Sequence, residues 1–223
     1  MTVRTMGRVL SALVLGSALS GAWASVEVQG IPLDETVTVA GAPLVLNGAG
    51  YRKRGYFKVD VTGVYAQAKY NTLEALEKAP GAKRLELVML QDISGAQASK
   101  YFLIDFEASA TPAEFAQLIN EVSQVGAIYS SLPKIKKGDI ITLDVMPGKG
   151  LLASMNGQVI QVRGAPMAPI NNELLARIML RMYIGGKTPQ ELRDNLLGLS
   201  FSMRDHPPAN APATAAASAP AAR

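Results

Sequence analysis

Residues 54–69 read RGYFKVDVTGVYAQAK. Phe57, Val59, Val61 and Tyr65 share one parity, while Tyr56, Lys58, Asp60 and Thr62 share the other. Side chains of a strand point alternately to opposite faces, so this pattern predicts one long half-buried strand. Its apolar face requires a cover. On the N-terminal side, residues 26–28, 36–39 and 42–46 are short β-rich runs broken by Pro and Gly.

On the C-terminal side, residues 72–79 predict a short helix and 85–90 a strand. Residues 94–109 follow as a helix with Ser94 as N-cap and Ala98, Phe102 and Phe106 spaced by four. Thr111-Pro112-Ala113-Glu114 is a capping box with Pro at the first helical position. It opens a single apolar stripe of Phe115, Leu118, Ile119, Val122, Val125 and Tyr129, which Pro133 stops. Residues 139–146 and 151–155 read as strands around Pro147-Gly148-Lys149-Gly150, and Asn156-Gly157 predicts a tight hairpin turn with 159–162 pairing back. Residues 171–184 predict a helix with Leu174, Leu175, Ile178 and Met182 inward and Gly185 at its end. Thr188-Pro189-Gln190-Glu191 repeats the capping box, and the last helix carries Leu192, Leu196 and Leu197 up to Gly198. Strand runs and helix runs are segregated. The expectation is an α+β fold, a mostly antiparallel sheet with a helical layer on one face.

The composition narrows the chemistry. The 223 residues are 48% hydrophobic and 18% charged, which excludes a chain disordered throughout. There is no cysteine and one histidine, His206. Disulfides, thiolate nucleophiles, Ser-His-Asp triads and multi-histidine metal sites are therefore excluded. Gly148-Lys149-Gly150 has the wrong spacing for a phosphate loop, and there is no dinucleotide fingerprint, so no cofactor is expected.

The ends differ from the middle. Arg4 and Arg8 precede an uncharged apolar stretch at 9–21, and Ala22-Trp23-Ala24 fits the small-x-small cleavage rule. Residues 1–24 are expected to be a cleavable signal peptide. The stretch falls short of the about 20 apolar residues of a membrane span. An exported, periplasmic protein that is not transmembrane after signal removal is the expectation. Arg4 and Arg8 supply two of the four net positive charges, so the balance argues against a nucleic-acid partner. Arg52-Lys53-Arg54 reads as a solvated strand edge. Residues 204–223 are Ala/Pro-rich and are expected to be a disordered tail after a domain at 25–203.

Three stretches carry a resemblance. The first is residues 46–52 (LNGAGYR) with Phe57-Lys58-Val59 and Gly63-Val64-Tyr65. The second runs from Lys137-Gly138-Asp139 through Pro147-Gly148-Lys149-Gly150 to Asn156-Gly157. The third runs from Asn172-Glu173-Leu174-Leu175 through Tyr183-Ile184-Gly185 to Thr188-Pro189 and Leu196-Leu197-Gly198. In this order they resemble the chalcone isomerase family, and within it the bacterial exported chalcone-isomerase-like branch. The resemblance implies an open-faced β-sandwich.

The family enzymes close a flavanone ring by adding a phenolate to an enone, with an arginine, a tyrosine, an asparagine and Ser/Thr hydroxyls at the site. An arginine stays charged in a dry pocket and stabilises developing oxyanion charge there. The resemblance places the arginine on Arg52, the threonine on Asp60, the tyrosine on Ala98 with Tyr101 as a substitute phenol one turn away, the asparagine on Asp105, and the Ser/Thr on Ala176. A carboxylate at position 60 would repel a phenolate and tether Arg52. The implied function is that of an exported non-catalytic member binding a fatty acid or similar small apolar carboxylate, as non-enzymatic relatives do, with Arg52, Asp60 and Tyr101 as binding residues. Two alternatives stand beside it: a structural or partner-docking envelope protein, and an active chalcone-type isomerase, an intramolecular lyase. From the residues alone, an Arg52–Asp60 ion pair without any ligand stays open.

Overall fold

The structure, a computed structural model, describes residues 25–132 and 134–200. The expected signal peptide, Pro133, His206 and the Ala/Pro-rich tail lie outside the described residues. A first hairpin consists of β1 (Ser25–Val28) and β2 (Ile31–Asp34). The main sheet takes β3 (Thr36–Val39), β4 (Ala42–Arg54), β5 (Phe57–Ala66), β6 (Lys83–Met89), β7 (Ile140–Met146), β8 (Gly150–Met155) and β9 (Gln158–Val159) in chain order, every neighbour antiparallel. Helix α1 (Leu73–Lys78) precedes β6; α2 (Gly95–Ser109), α3 (Pro112–Gln117) and α4 (Ile119–Ser131) separate β6 from β7. A small hairpin, β10 (Gln161–Val162) and β11 (Ala165–Pro166), leads to α5 (Glu173–Ile184) and α6 (Gln190–Leu196). This is the expected α+β arrangement.

Both faces of the sheet are packed. On one, Val64, Leu85, Leu87 and Leu143 meet Phe102, Phe106, Val122, Ile178 and Met179 of the helices. On the other, Val26, Val28 and Leu33 of the first hairpin meet Leu44, Leu46, Val61, Tyr65 and Val88. Strand β5 is consequently buried on both sides from Val59 to Ala66, not half-buried as the alternation predicts. Asp60 and Thr62, on the polar parity, are fully enclosed. The parity itself breaks at a register shift: Arg52 pairs with Asp60 and Lys53 with Lys58, leaving Val59 out of the ladder. Val59 joins the helix-side core, Val61 and Tyr65 the opposite one, and Phe57 is exposed.

Strand β4 is much longer than the 42–46 run. Its Gly48 and Gly50 look like breakers in sequence, but they let α6 lie directly on the strand. A Cβ on Gly48 would sit 2.1 Å from the Asn195 carbonyl oxygen, and one on Gly50 2.8 Å from Leu192 Cδ1. Asn47 ties the same junction: its Nδ2 donates to Leu196 O (2.8 Å) and Tyr70 O (3.0 Å), and its Oδ1 accepts from Tyr70 N (2.6 Å).

The capping box at Thr111/Glu114 forms as expected, and Ser94, expected as an N-cap, closes a box with Gln97 as well. The box expected at Thr188 does not form. The Thr188 hydroxyl donates to Met182 O (3.2 Å) and fastens the start of α6 to α5, so α6 begins without a side-chain cap. The single stripe from Phe115 to Tyr129 is two helices that meet at the buried Leu118, which leaves Ile119 half exposed. Asn156 and Gly157 both have positive φ, as the hairpin requires. Only Gln158–Val159 pairs back on β8; Gln161–Val162 pairs with Ala165–Pro166 instead.

Candidate functional site

Strands β4 and β5 bring Arg52 and Asp60 opposite each other, on the helix side. Arg52 Nε and Nη2 donate to one oxygen, Oδ2 of Asp60, at 2.9 and 2.7 Å. The other oxygen, Oδ1, accepts from the Thr62 hydroxyl at 2.7 Å. Arg52 Nη1 has a long contact of 3.4 Å to Asp105 Oδ2 on α2, and that oxygen also accepts from Arg54 Nη2. The Arg52 guanidinium lies over the Tyr183 ring (4.9 Å to its centroid), and Arg54 lies over Tyr101 (5.0 Å).

Behind Arg52 is a cavity of about 50 Å³ between sheet and helices. Val59, Leu87, Met89, Phe102 and Met182 give it apolar walls, and Tyr101, Tyr129 and Tyr183 border it. Burial pulls the Arg52 pKa down, but the Asp60 charge, helped by Tyr183 and Asp105, more than offsets this and leaves it above the usual arginine value. Burial raises the phenol pKa of both Tyr129 and Tyr183. The site therefore holds a permanent cation and phenols that keep their protons at neutral pH. It can donate hydrogen bonds to an anion; it offers no phenolate as a base.

The sequence-derived residues fall here unevenly. Arg52 and Asp60 meet as the ion pair. Tyr101 borders the cavity, but its ring serves Arg54. Ala98 and Asp105 also line it. Ala176 does not: it lies on a separate groove of about 550 Å³ with Lys83, Arg177 and Leu180. Lys83 and Met89 are the two ends of β6, about 20 Å apart at the usual strand rise. The residues of α5 that reach Arg52 are Met182 and Tyr183. Tyr129 was missed as a site residue because it reads as one more apolar position on a helix stripe, and Tyr183 because it stands in sequence only as part of the Tyr183-Ile184-Gly185 motif. In the distant groove, buried Lys83 donates to Ala79 O (2.7 Å), and burial lowers its pKa. Among the described residues no cluster of His, Asp and Glu is fit to hold a metal, and no helix is long and apolar enough to cross a membrane.

A meandering antiparallel sheet with a helical layer and a strand-borne arginine between them defines a class. The sequence pattern of that class, described as chalcone isomerase-like, matches residues 25–198. The chain belongs to the chalcone isomerase-like family. Among curated proteins, no sequence matches it. Among solved structures it is similar to a fatty-acid binding protein of Arabidopsis thaliana, with a TM-score of 0.61 and 18% identity, covering 78% of this chain and 96% of the other. At that identity the likeness establishes the shared fold.

Proposed function

We propose that the protein is an exported, non-catalytic member of the family that holds a fatty acid or similar small apolar carboxylate between sheet and helices, with the carboxylate on Arg52. One observation carries this reading: Arg52 stands at the head of an apolar cavity with Nη1 bound only by a 3.4 Å contact, although its other donors are well paired. A ligand carboxylate takes the place of Asp105 on Nη1 and gains a charge-assisted bond in a site shielded from water. The fold shared with a fatty-acid binding protein supports the same reading.

The cavity, at about 50 Å³, is far below the several hundred of an ordinary ligand pocket. An acyl chain enters as Met89, Met182 and Phe102 move aside; methionine side chains are unbranched and re-pack readily. Native mass spectrometry of the protein purified from its own host tests the proposal. A co-purified carboxylic acid is the expected result, and an empty protein that also refuses added acids contradicts it. The near-complete pairing of Arg52 by Asp60 favours a second reading, a structural role for Arg52 in a protein that docks a partner; refusal of all acids is its signature.

A further inference from the structure

The turn between β4 and β5 carries a feature the cleft does not use. Residues 52–58 read RKRGYFK. Gly55 takes positive φ at the turn, and Tyr56 and Phe57 stand out from it, 102% and 65% exposed. Nothing in the fold needs two adjacent aromatic rings in water, and each exposes a large apolar area. Around them the charge is one-sided. Lys53 and Lys58 flank the rings, both stacked on Tyr51 and neither paired with a carboxylate among the described residues. Arg52, Lys53, Arg54 and Lys187 line a cleft of about 120 Å³ beside the turn, with Asp105 as the one acidic wall. Arg54 Nε there is buried without a hydrogen-bond partner. Lys136 and Lys137 lie at the same end of the sheet, since Lys137 N bonds Asp92 and the neighbouring Gln91 bonds Lys58 O.

We infer that this turn docks the protein on an anionic lipid membrane. Tyr and Phe settle at the headgroup level, where one end of the ring is apolar and the other wet. Lysines and arginines beside them are attracted by the negative surface potential. The cleft between Arg54 and Lys187 suits one lipid phosphate group. In the turn and its cleft, Arg52, Lys53, Arg54, Lys58 and Lys187 stand against Asp60 and Asp105, and beside them Lys134, Lys136 and Lys137 stand against Asp92 and Asp139. This positive excess favours a phospholipid surface over an acidic or neutral protein patch, and the inference is independent of what the Arg52 cavity holds.

The test is sedimentation of the exported protein, purified after signal removal, with vesicles of phosphatidylcholine containing phosphatidylglycerol, and with phosphatidylcholine alone. The wild type is expected to sediment with the anionic vesicles, to be released by raised salt, and to bind neutral vesicles weakly. Tyr56→Ser/Phe57→Ser should lower partitioning by at least tenfold. Each lysine lost in Lys53→Glu/Lys58→Glu should lower it about fivefold or more. The exposed positions leave folding intact, which an unchanged thermal transition verifies. Lys149→Glu/Arg177→Glu, with the same charge change at exposed sites on the opposite end of the sheet, should lower partitioning far less. A wild type that stays in the supernatant overturns the inference. So does equal loss in the tip and control variants. So does a tip that drives self-association, removed by Tyr56→Ser/Phe57→Ser, without vesicle binding.

Discussion

Asp60 Oδ2 accepts from both Nε and Nη2 of Arg52, its cross-strand partner, while Nη1 points to a weaker contact at 3.4 Å. The two ends of one guanidinium thus do different things. One side locks β4 to β5 and is saturated. The other faces the cavity mouth with capacity to spare.

The locked side sets stability. Asp60 has no exposed surface, so Arg52→Ala strands a buried carboxylate. Removing one partner of a buried pair costs about 3–5 kcal/mol. Arg52 retains 18% side-chain exposure, which places the loss at about 3 kcal/mol. Arg52→Ala/Asp60→Asn should recover part of it in urea unfolding. A double variant no more stable than the single one would show that the stranded charge is not the cause.

Chalcone should not cyclise above its uncatalysed rate. Ring closure needs a hydroxyl that holds the substrate and a base for its phenol; Ala98 lines the cavity where the resemblance implies a tyrosine, and Tyr129 and Tyr183 keep their protons. The check is the loss of chalcone absorbance with time. Turnover that disappears in Arg52→Ala would place the protein among the enzymes.

Gly48→Ala and Gly50→Ala should differ. At Gly48 the new methyl meets the carbonyl oxygens of Asn195 and Leu196, at 2.1 and 2.6 Å, and backbone cannot swing away. At Gly50 it meets the end of the Leu192 side chain. Overpacking costs about 1–3 kcal/mol, so Gly48→Ala belongs at or above the top of that range and Gly50→Ala at the bottom. Paired denaturation curves decide, and equal losses would mean that α6 is not held against β4.

Lys83 predicts a pH dependence. Burial lowers its pKa below the usual 10.5, so the unfolded chain binds its proton more tightly than the folded one. Stability from this group rises as pH climbs from the folded-state pKa towards 10.5. Lys83→Met should be more stable than the wild type at pH 7, and the gap should narrow by pH 10. Melting curves at the two pH values read this directly; a gap that is constant with pH would contradict it.

How much of this was legible in sequence follows from which forces act locally. The N-cap at Ser94 and the capping box at Thr111 bond within three residues, so sequence shows them. The box at Thr188 has the same spelling, yet its hydroxyl reaches Met182 O, a partner only the fold supplies. The alternation in 54–69 identifies β5 because strand period is local. It misplaces Asp60 and Thr62 because burial of a polar residue depends on a distant satisfier, here Arg52. Gly48 and Gly50 hid the length of β4, since close approach of a helix and a strand break call for the same residue. The family resemblance points to Arg52, Ala98 and Asp105, which the fold brings to one cavity, but counting along α5 adds Ala176, which lies on a separate groove, whereas Met182 and Tyr183 are the α5 residues that reach Arg52.

The central claim is that Arg52 Nη1 waits for a carboxylate. Titration of dodecanoic acid and of dodecanol into the wild-type protein, followed by calorimetry, measures it with no variant that has to fold. The charged headgroup should be worth about 1.5–3 kcal/mol, the scale of a hydrogen bond to an ion, so the acid should bind between about tenfold and somewhat over a hundredfold more tightly than the alcohol. Equal binding of the two would contradict the account.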